Sequence, residues 1–341
     1  MATSRVLLVG CGAMSRAWLR EATQLDDVEI VGYVDLNRAV AEERHAEFGP
    51  PEALIESDLD RALATTRPDV VFDITIPAAH TEVTQKALAA GCHVLGEKPL
   101  TDNMADARKL VEAAARRARL FAVVQNRRYL ASIVALRAFL ASGALGRITT
   151  VNADFYLAPH FGGFRDAMRH VLLLDMAIHT FDQARALSGT DPQAVYCHEF
   201  NPAGSWYAHG ASAQAIFEMT DGVVFNYRGS WCAEGRPTAW EAAWRIVGER
   251  GTVTWDGKEE LRAEVVEPGD DFMRQRTVVP VPAVDFPEAM HGHSGVIRDF
   301  FRCLRTGDTP PTAAADNLKS LAMVFGAIES AEKGARVEVV L

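Results

Sequence analysis

The chain has 341 residues, 48 % of them hydrophobic, which suits a soluble globular protein with two cores. Its 35 Lys and Arg stand against 45 Asp and Glu, a net charge of −10, so no basic excess is available to release counterions from a phosphate backbone, and nucleic-acid binding is excluded as a main role. Five scattered cysteines (Cys11, Cys92, Cys197, Cys232 and Cys303), no charged-then-apolar leader and no apolar run near the ~20 residues of a bilayer span point to a cytoplasmic protein with reduced thiols and no membrane partner.

The first part alternates strand and helix signals. A strand over 6–9 leads into Gly10-Cys11-Gly12 and a helix over 13–25, with Trp18, Leu19 and Ala22 on one face. A strand over 28–34 ends at Asp35, and a helix over 38–48 stops at Gly49-Pro50-Pro51. Helices over 58–65, 81–90 and 104–119 alternate with strands over 69–74, 93–95 and 120–124. Strands alternating with helices of this length imply βαβ units and a doubly wound parallel sheet. After residue 122 the pattern changes. A helix over 133–142 precedes strands over 148–155, 194–199, 212–218, 223–230, 244–247 and 252–255. Asp221-Gly222 is a hairpin signal between two of them. Helices over 172–187, 294–304 and 316–332 complete the chain. The expectation is an α/β fold: a Rossmann domain over 1–122, then an α+β domain over 123–341 with a large, open, mostly antiparallel sheet.

A strand feeding Gly10-x-Gly12 into a helix lets the backbone approach a pyrophosphate and aims helix N–H groups at it. Asp35 lies 20 residues beyond Ser15, the spacing of a carboxylate that reaches the adenosine ribose. Ser15 stands at the third fingerprint position in place of Gly or Ala, so slightly looser helix–strand packing is expected there. Glu97-Lys98-Pro99 follows the apolar His93-Val94-Leu95 and puts an ionisable group near the reactive end of a bound dinucleotide. Asp175 and His179, four apart, share one helix face. A carboxylate there orients an imidazole and favours its charged form; from the helix alone a cap or a satisfied core histidine is the plainer reading.

With these segments in view, the chain resembles the glucose-fructose oxidoreductase / inositol dehydrogenase / rhizopine catabolism (Gfo/Idh/MocA) family over essentially its whole length. The resemblance rests on Gly10-Cys11-Gly12-Ala13-Met14, on Asp69-Val70-Val71-Phe72-Asp73-Ile74-Thr75-Ile76-Pro77-Ala78-Ala79-His80, on Glu97-Lys98-Pro99, and on Asp175-Met176-Ala177-Ile178-His179-Thr180-Phe181-Asp182. Ile76 stands where the family often has Thr, which removes a hydroxyl near the cofactor. Arg169-His170-Val171 stands where many members carry glycines lining the substrate pocket, which weakens the inference to a substrate.

The resemblance implies a dehydrogenase or reductase that moves hydride between NAD and a secondary alcohol or ketone of a sugar, polyol or related small molecule. It implies NAD contacts from Gly10, Gly12, Ala13, Met14, Asp35, Arg38, Ile76, Pro77, His80, Glu97 and Lys98. NADP is expected to be disfavoured by the Asp35 charge, with Arg38 as the residue able to neutralise a phosphate. His179 is the implied acid/base, Asp175 its orienting group, and Lys98 the holder of the substrate oxygen. Lys98 is the alternative base, because a desolvated lysine beside a cationic nicotinamide releases its proton more readily. Asn126, Arg127, Tyr156, His160, Arg169 and His170 are candidate substrate contacts. His160 to Arg165 reads equally as a mobile loop beside the pocket or a surface turn, and Arg169 and His170 equally as an anion site or surface charges. His291-Gly292-His293 reads as a loop before a helix, with no carboxylate or cysteine pattern to make it a metal site. Five tryptophans (Trp206, Trp231, Trp240, Trp244 and Trp255) fall in the sheet half, as core or as subunit contact. Family members commonly use the open sheet for dimers or tetramers, so a homo-oligomer is expected. An NAD-retaining hydrolase or epimerase, and a dinucleotide-sensing regulator, are the alternatives on this fold.

Overall fold

The computed structural model describes residues 3–341. They form two compact units. One holds the chain up to Tyr129 together with Pro287–Leu318; the other holds Leu130–Phe286 together with Lys319–Leu341.

The first unit is built on a six-stranded parallel sheet: β1 (Ser4–Val9), β2 (Val28–Val34), β3 (Leu54–Glu56), β4 (Val70–Asp73), β5 (His93–Gly96) and β6 (Phe121–Val123). Their order across the sheet is β3-β2-β1-β4-β5-β6, so the winding reverses between β1 and β4. In a doubly wound sheet that reversal is where a ligand binds, beyond the carboxyl ends of the strands. Val6, Leu7 and Leu8 of β1 and Val70, Val71 and Phe72 of β4 are fully buried, as a strand covered on both faces requires. The connecting helices are α1 (Ser15–Ala22), α2 (Arg38–Phe48), α3 (Leu59–Thr66), α4 (Pro77–Ala89) and α5 (Met104–Arg116). Local chemistry starts them: the side chains of Asn37, Asp58 and Asn103 accept from backbone N–H groups of the first turns of α2, α3 and α5, and Pro77 opens α4. Strand β3 was not expected from the sequence; it is three residues long and follows a Pro50-Pro51 break.

The second unit is built on α6 (Ala131–Ala141), α7 (Ile178–Ser188) and a nine-stranded sheet. Its strands are β7 (Ile148–Tyr156), β8 (Pro192–Phe200), β9 (Ser212–Met219), β10 (Val224–Ser230), β11 (Ala243–Gly248), β12 (Gly251–Trp255), β13 (Leu261–Val266), β14 (Arg276–Val279) and β15 (Val337–Glu338). The order is β14-β13-β12-β11-β7-β10-β9-β8-β15. Every neighbouring pair is antiparallel except β7 and β10, which run parallel with Val224 opposite Thr150. The turn expected at Asp221-Gly222 joins β9 to β10, and both residues take positive φ. Phe181 of α7 anchors the core: its ring lies 4.9 Å from Phe217, 5.2 Å from Tyr227 and 5.9 Å from Phe225. Trp231, Trp244 and Trp255 are core residues too, so they do not mark the open face. That face instead exposes Tyr196, Phe200 and Ile216 beside polar ladders, Asn226 on Asn152 at 3.0 Å and Arg228 on Asp154 at 2.6 and 2.7 Å.

Two more helices follow, α8 (Gly292–Thr306) and α9 (Ala314–Lys333). The sequence pattern groups all of residues 123–341 with the second half, whereas α8 and its flanks pack with the first sheet. The Val123 N–H donates to Thr312 O at 3.0 Å, Phe301 lies 6.0 Å from Phe72, and Arg298 pairs with Glu21. No described helix is long and apolar enough to cross a membrane. Replacing Phe181 by Ala empties the space between α7 and three aromatic rings. We expect a loss of about 3–5 kcal/mol in urea-induced unfolding, the usual cost of a large aromatic deleted from a core.

Candidate functional site

The carboxyl ends of β1 and β2 form the first part of the site. Gly10 has φ +91°, and a Cβ there would lie 2.5 Å from the Ile74 carbonyl oxygen. Only glycine fits. At Gly12 an added Cβ would meet nothing within 4 Å, and Gly12, Ala13 and Met14 lie at the surface, so the turn is open to solvent. Ser15 is fully buried; its hydroxyl donates to Gly12 O at 2.6 Å and accepts from Arg44 Nε at 3.0 Å. The Asp35 carboxylate accepts from the Cys11 N–H and from the Asn37 N–H, each at 2.9 Å. Arg38 turns away, with Nε 3.0 Å from Glu42 and Nη1 3.1 Å from Ile55 O. Burial, with the Asp35 charge beside it, pushes the Cys11 thiol up to about 12, so it stays protonated and inert. An open glycine turn at a helix start, with an oriented carboxylate beside it, fits the pyrophosphate and ribose of a dinucleotide.

At the carboxyl ends of β4 and β5, Ile76 is exposed and Pro77 starts α4. His80 does not face outward. It is buried with Nδ1 3.0 Å from Asp73 Oδ1, while Thr75 and Thr84 donate to the same carboxylate at 2.6 and 3.1 Å. It therefore supports the Thr75–Pro77 turn from beneath. Glu97 also points inward. Burial opposes its ionisation, but bonding from His293 and Trp18 and the Lys98 charge outweigh burial and hold the carboxyl below its usual range. Trp18 Nε1 donates to Glu97 Oε1 at 2.8 Å, and His293 Nε2 lies 3.6 Å from the same oxygen. Asn126 sits 3.5 Å from His293 Nδ1, and Lys98 is half-buried. His291 precedes α8 at its N-terminal position and His293 lies in its first turn, and no metal-ligand cluster occurs among the described residues. Asn126 and Arg127 belong to this first unit.

In the second unit, Leu172–Ala177 are wound as a π-turn that runs directly into α7. Four residues are close to one full turn in either winding, so Asp175 and His179 stay near one face. Single π-turns of this kind concentrate at functional sites. Asp175 receives a guanidinium fork: Arg165 Nε at 2.8 Å and Nη2 at 3.4 Å. Sequence reasoning did not single out Arg165, because a loop arginine carries no periodic signal. It belongs to the segment after β7, where His160 stacks on Trp206 at 3.8 Å and lies 2.9 Å from Glu234. Tyr156, at the end of β7, lines a groove of about 480 Å³ with Phe200, Ser212, Gln214 and Cys232. Arg169 is exposed, 3.8 Å from Glu332. His170 is not at the surface: φ is +54°, Nδ1 lies 2.5 Å from Glu199, and Nε2 lies 3.5 Å from Glu332.

Residues 4–125 match the model of an oxidoreductase family with an NAD-binding Rossmann fold, and residues 133–254 match the GFO/IDH/MocA C-terminal domain. The chain belongs to the Gfo/Idh/MocA family. It is accordingly an NAD-dependent oxidoreductase. It is 27 % identical to the D-apiose dehydrogenase of Paraburkholderia graminis over 97 % of this chain and 88 % of that protein. It is 33 % identical to the inositol 2-dehydrogenase of Gluconacetobacter diazotrophicus over 43 % of this chain and 44 % of that protein. An oxidoreductase from Agrobacterium radiobacter, solved with NAD+, L-tartaric acid and magnesium, has the same fold, with a TM-score of 0.86 at 21 % identity over 99 % of both chains.

The His170 pair makes stability depend on pH. The Glu199 hydrogen bond raises the His170 pKa most; burial opposes it and Glu332 adds to it. A raised folded value means the pair stabilises fully below the unfolded value of about 6.5 and loses that contribution as pH rises through the folded value. Glu199→Gln should therefore lower the melting temperature clearly near about pH 5.5 and progressively less toward about pH 9. Thermal melts across that range check the sign.

Proposed function

We propose that this oxidoreductase moves hydride between NAD and a secondary alcohol or ketone carbon of a sugar or polyol. The observation that carries the proposal is the Asp175–His179 face beginning on a π-turn. Relatives named D-apiose dehydrogenase, D-glucoside 3-dehydrogenase and inositol 2-dehydrogenase support the substrate class. When bound, NAD supplies the hydride acceptor. The chain's own residues supply the rest. Gly10, Gly12, Ala13 and Met14 would take the pyrophosphate, and Asp35 the adenosine ribose. Ile76, Pro77 and Lys98 would line the nicotinamide end, over a floor held by His80 and Glu97. Lys98 holds and polarises the substrate oxygen. His179 takes the hydroxyl proton as the carbon gives up hydride, and Asp175 keeps the imidazole and the substrate oriented. The segment up to residue 122 serves the cofactor, and the second sheet carries substrate contacts. Its exposed Tyr196, Phe200 and Ile216 favour a homodimer or homotetramer through the open face. The five free cysteines suit the cytoplasm.

His179→Ala should lower kcat by roughly 10²–10⁴, the range for a positioned acid/base, with NAD affinity nearly unchanged. Lys98→Met should lower kcat and also raise the KM for substrate. Steady-state kinetics on a polyol and sugar panel, read by reduced-nicotinamide absorbance, check both. Near-normal turnover in His179→Ala with none in Lys98→Met makes lysine the base. Normal turnover in both removes the proposed site.

The Asp35 carboxylate beside the ribose should repel a 2′-phosphate, a cost of at least about 1 kcal/mol even in a water-like dielectric. We expect a higher kcat/KM with NAD(H) than with NADP(H). Equal values would remove Asp35 from the ribose site.

A further inference from the structure

We infer that His170 is a positioning residue: clamped between Glu199 and Glu332, it fixes the winding of the turn that carries Asp175, and through it the alignment of Asp175 with His179. The inference rests on the proton-transfer roles proposed for those two residues. His170 takes a φ of +54°, where glycine sits freely and a side chain strains the backbone. The ring offsets that strain from both nitrogens. Nδ1 lies 2.5 Å from Glu199 Oε2, and Nε2 lies 3.5 Å from Glu332 Oε1. Both partners are acceptors, and only the imidazolium donates from both nitrogens. Glu199 comes from β8 and Glu332 from α9, so the ring ties the start of the turn to two separate elements. Glu199 is itself confined. Its side chain is only 10 % exposed, a Cβ on Gly210 would lie 2.6 Å from its Cγ, and its Oε1 receives no hydrogen bond among the described residues. His170 is the group that compensates its buried charge.

The backbone shows why the clamp reaches Asp175. The Leu174 N–H donates to His170 O at 2.9 Å, a four-residue step, and Leu172–Ala177 widen to π-winding. A π-turn closes each bond over five residues instead of four, so it holds one surplus residue. That surplus stays only while both ends are fixed. The far end is fixed by α7, with the Phe181 ring set among Phe217, Phe225 and Tyr227. The near end is fixed by His170. Release of the ring lets the surplus residue slip back into the preceding loop. The turn then relaxes to α-winding and Asp175 rotates relative to His179. The clamp works through charge. Glu199 and Glu332 are the carboxylates that face the ring, and Arg169, 3.8 Å from Glu332, is the cation acting against it. Deprotonation leaves the ring one donor for two acceptors, so one arm of the clamp opens as pH rises. Glycine at this position would remove both the strain and the clamp, which separates the role of the side chain from the needs of the backbone.

The test compares wild type, His170→Gly and Glu199→Gln well below their melting temperatures, so that lost stability alone leaves turnover unchanged. The probe is whichever member of a panel of myo-inositol, D-glucose and levoglucosan the wild type oxidises fastest at saturating NAD+. Turnover is read by NADH absorbance, and the His179 ring by NMR of histidine-labelled protein. His170→Gly should lower kcat roughly 10- to 100-fold near about pH 6, the cost of a small misalignment, with the KM for NAD+ unchanged. The wild-type advantage over His170→Gly should then shrink as pH rises and the imidazolium loses its proton. Glu199→Gln should keep part of that advantage and lose it at lower pH, because the carboxylate that holds the proton is gone. The His179 ring signals should shift in both variants. A folded His170→Gly with wild-type kcat overturns the inference. So does a loss of kcat that is the same at every pH, the mark of a merely structural residue. If His170→Gly does not fold, Glu199→Gln decides on the same readouts. If the wild type oxidises no member of the panel, the proposed hydride chemistry fails and the His179 signals decide the clamp alone: unmoved signals overturn it, and shifted signals uphold it.

Discussion

Residue 10 has no room for a side chain, and the nucleotide end of the first unit depends on that fact. The chain leaves β1 so close to β4 that a Cβ would press on the Ile74 carbonyl at 2.5 Å. Because the turn is this tight, the Cys11 N–H reaches the Asp35 carboxylate at the end of the neighbouring strand. The Asn37 N–H holds the other oxygen. Each oxygen accepts one backbone N–H and keeps a lone pair, so the carboxylate is oriented without being used up. Two remaining acceptor positions suit the two hydroxyls of a ribose. The buried Arg44 holds the turn from below through Cys11 O and Ser15 Oγ. Serine at position 15 is thus integrated: a third glycine would leave the Arg44 Nε without that hydroxyl.

Features set by local sequence were legible before the structure. The glycine turn, the end of β2 at Asp35 and the alternation of the parallel sheet all follow from neighbours within a few residues. The hairpin at Asp221-Gly222 is local in the same way, since both residues accept positive φ. What escaped depends on distant partners or on weak patterns. β14 is mostly exposed and β15 is two residues long, so neither carries a burial alternation. The parallel pairing of β7 with β10 joins strands far apart in the chain, so it leaves no signal in either strand's own sequence. His293 meets Glu97 across most of the chain, and nothing in its own surroundings announces a carboxylate. His80 reads from its motif as a cofactor contact, yet Asp73 draws it inward; an imidazole next to a buried carboxylate is held more firmly than one facing water.

The Asp175–His179 spacing was legible, but its setting was not. A π-turn has no residue signature, because it is a choice of hydrogen-bond register rather than of side chain. The register is held from outside. His170, at positive φ, offers its carbonyl to Leu174 N at 2.9 Å while Glu199 and Glu332 hold its ring. Arg165 holds Asp175 at the centre of the turn. At the far end, Asp182 accepts from Ser320, which accepts from Arg185, and Arg185 and Lys319 share Asp191.

Polar anchors along the π-turn and the helix that follows it are a poor way to gain stability. Desolvating an ion pair costs nearly as much as the pair returns, and a leucine in each place would pack as well. Such pairs do fix register, because a slip of one residue would strand a charge in the interior. With purely apolar side chains in these places, the π-turn could relax to ordinary α-winding with little penalty, rotating Asp175 relative to His179. Pinned at residues 170 and 175 around the turn, and at 182 and 185 in α7, the segment cannot. The buried charge in this unit is therefore best understood as the means of keeping two side chains on one face of an irregular turn, and the aromatic packing around Phe181 supplies the stability on which that precision rests.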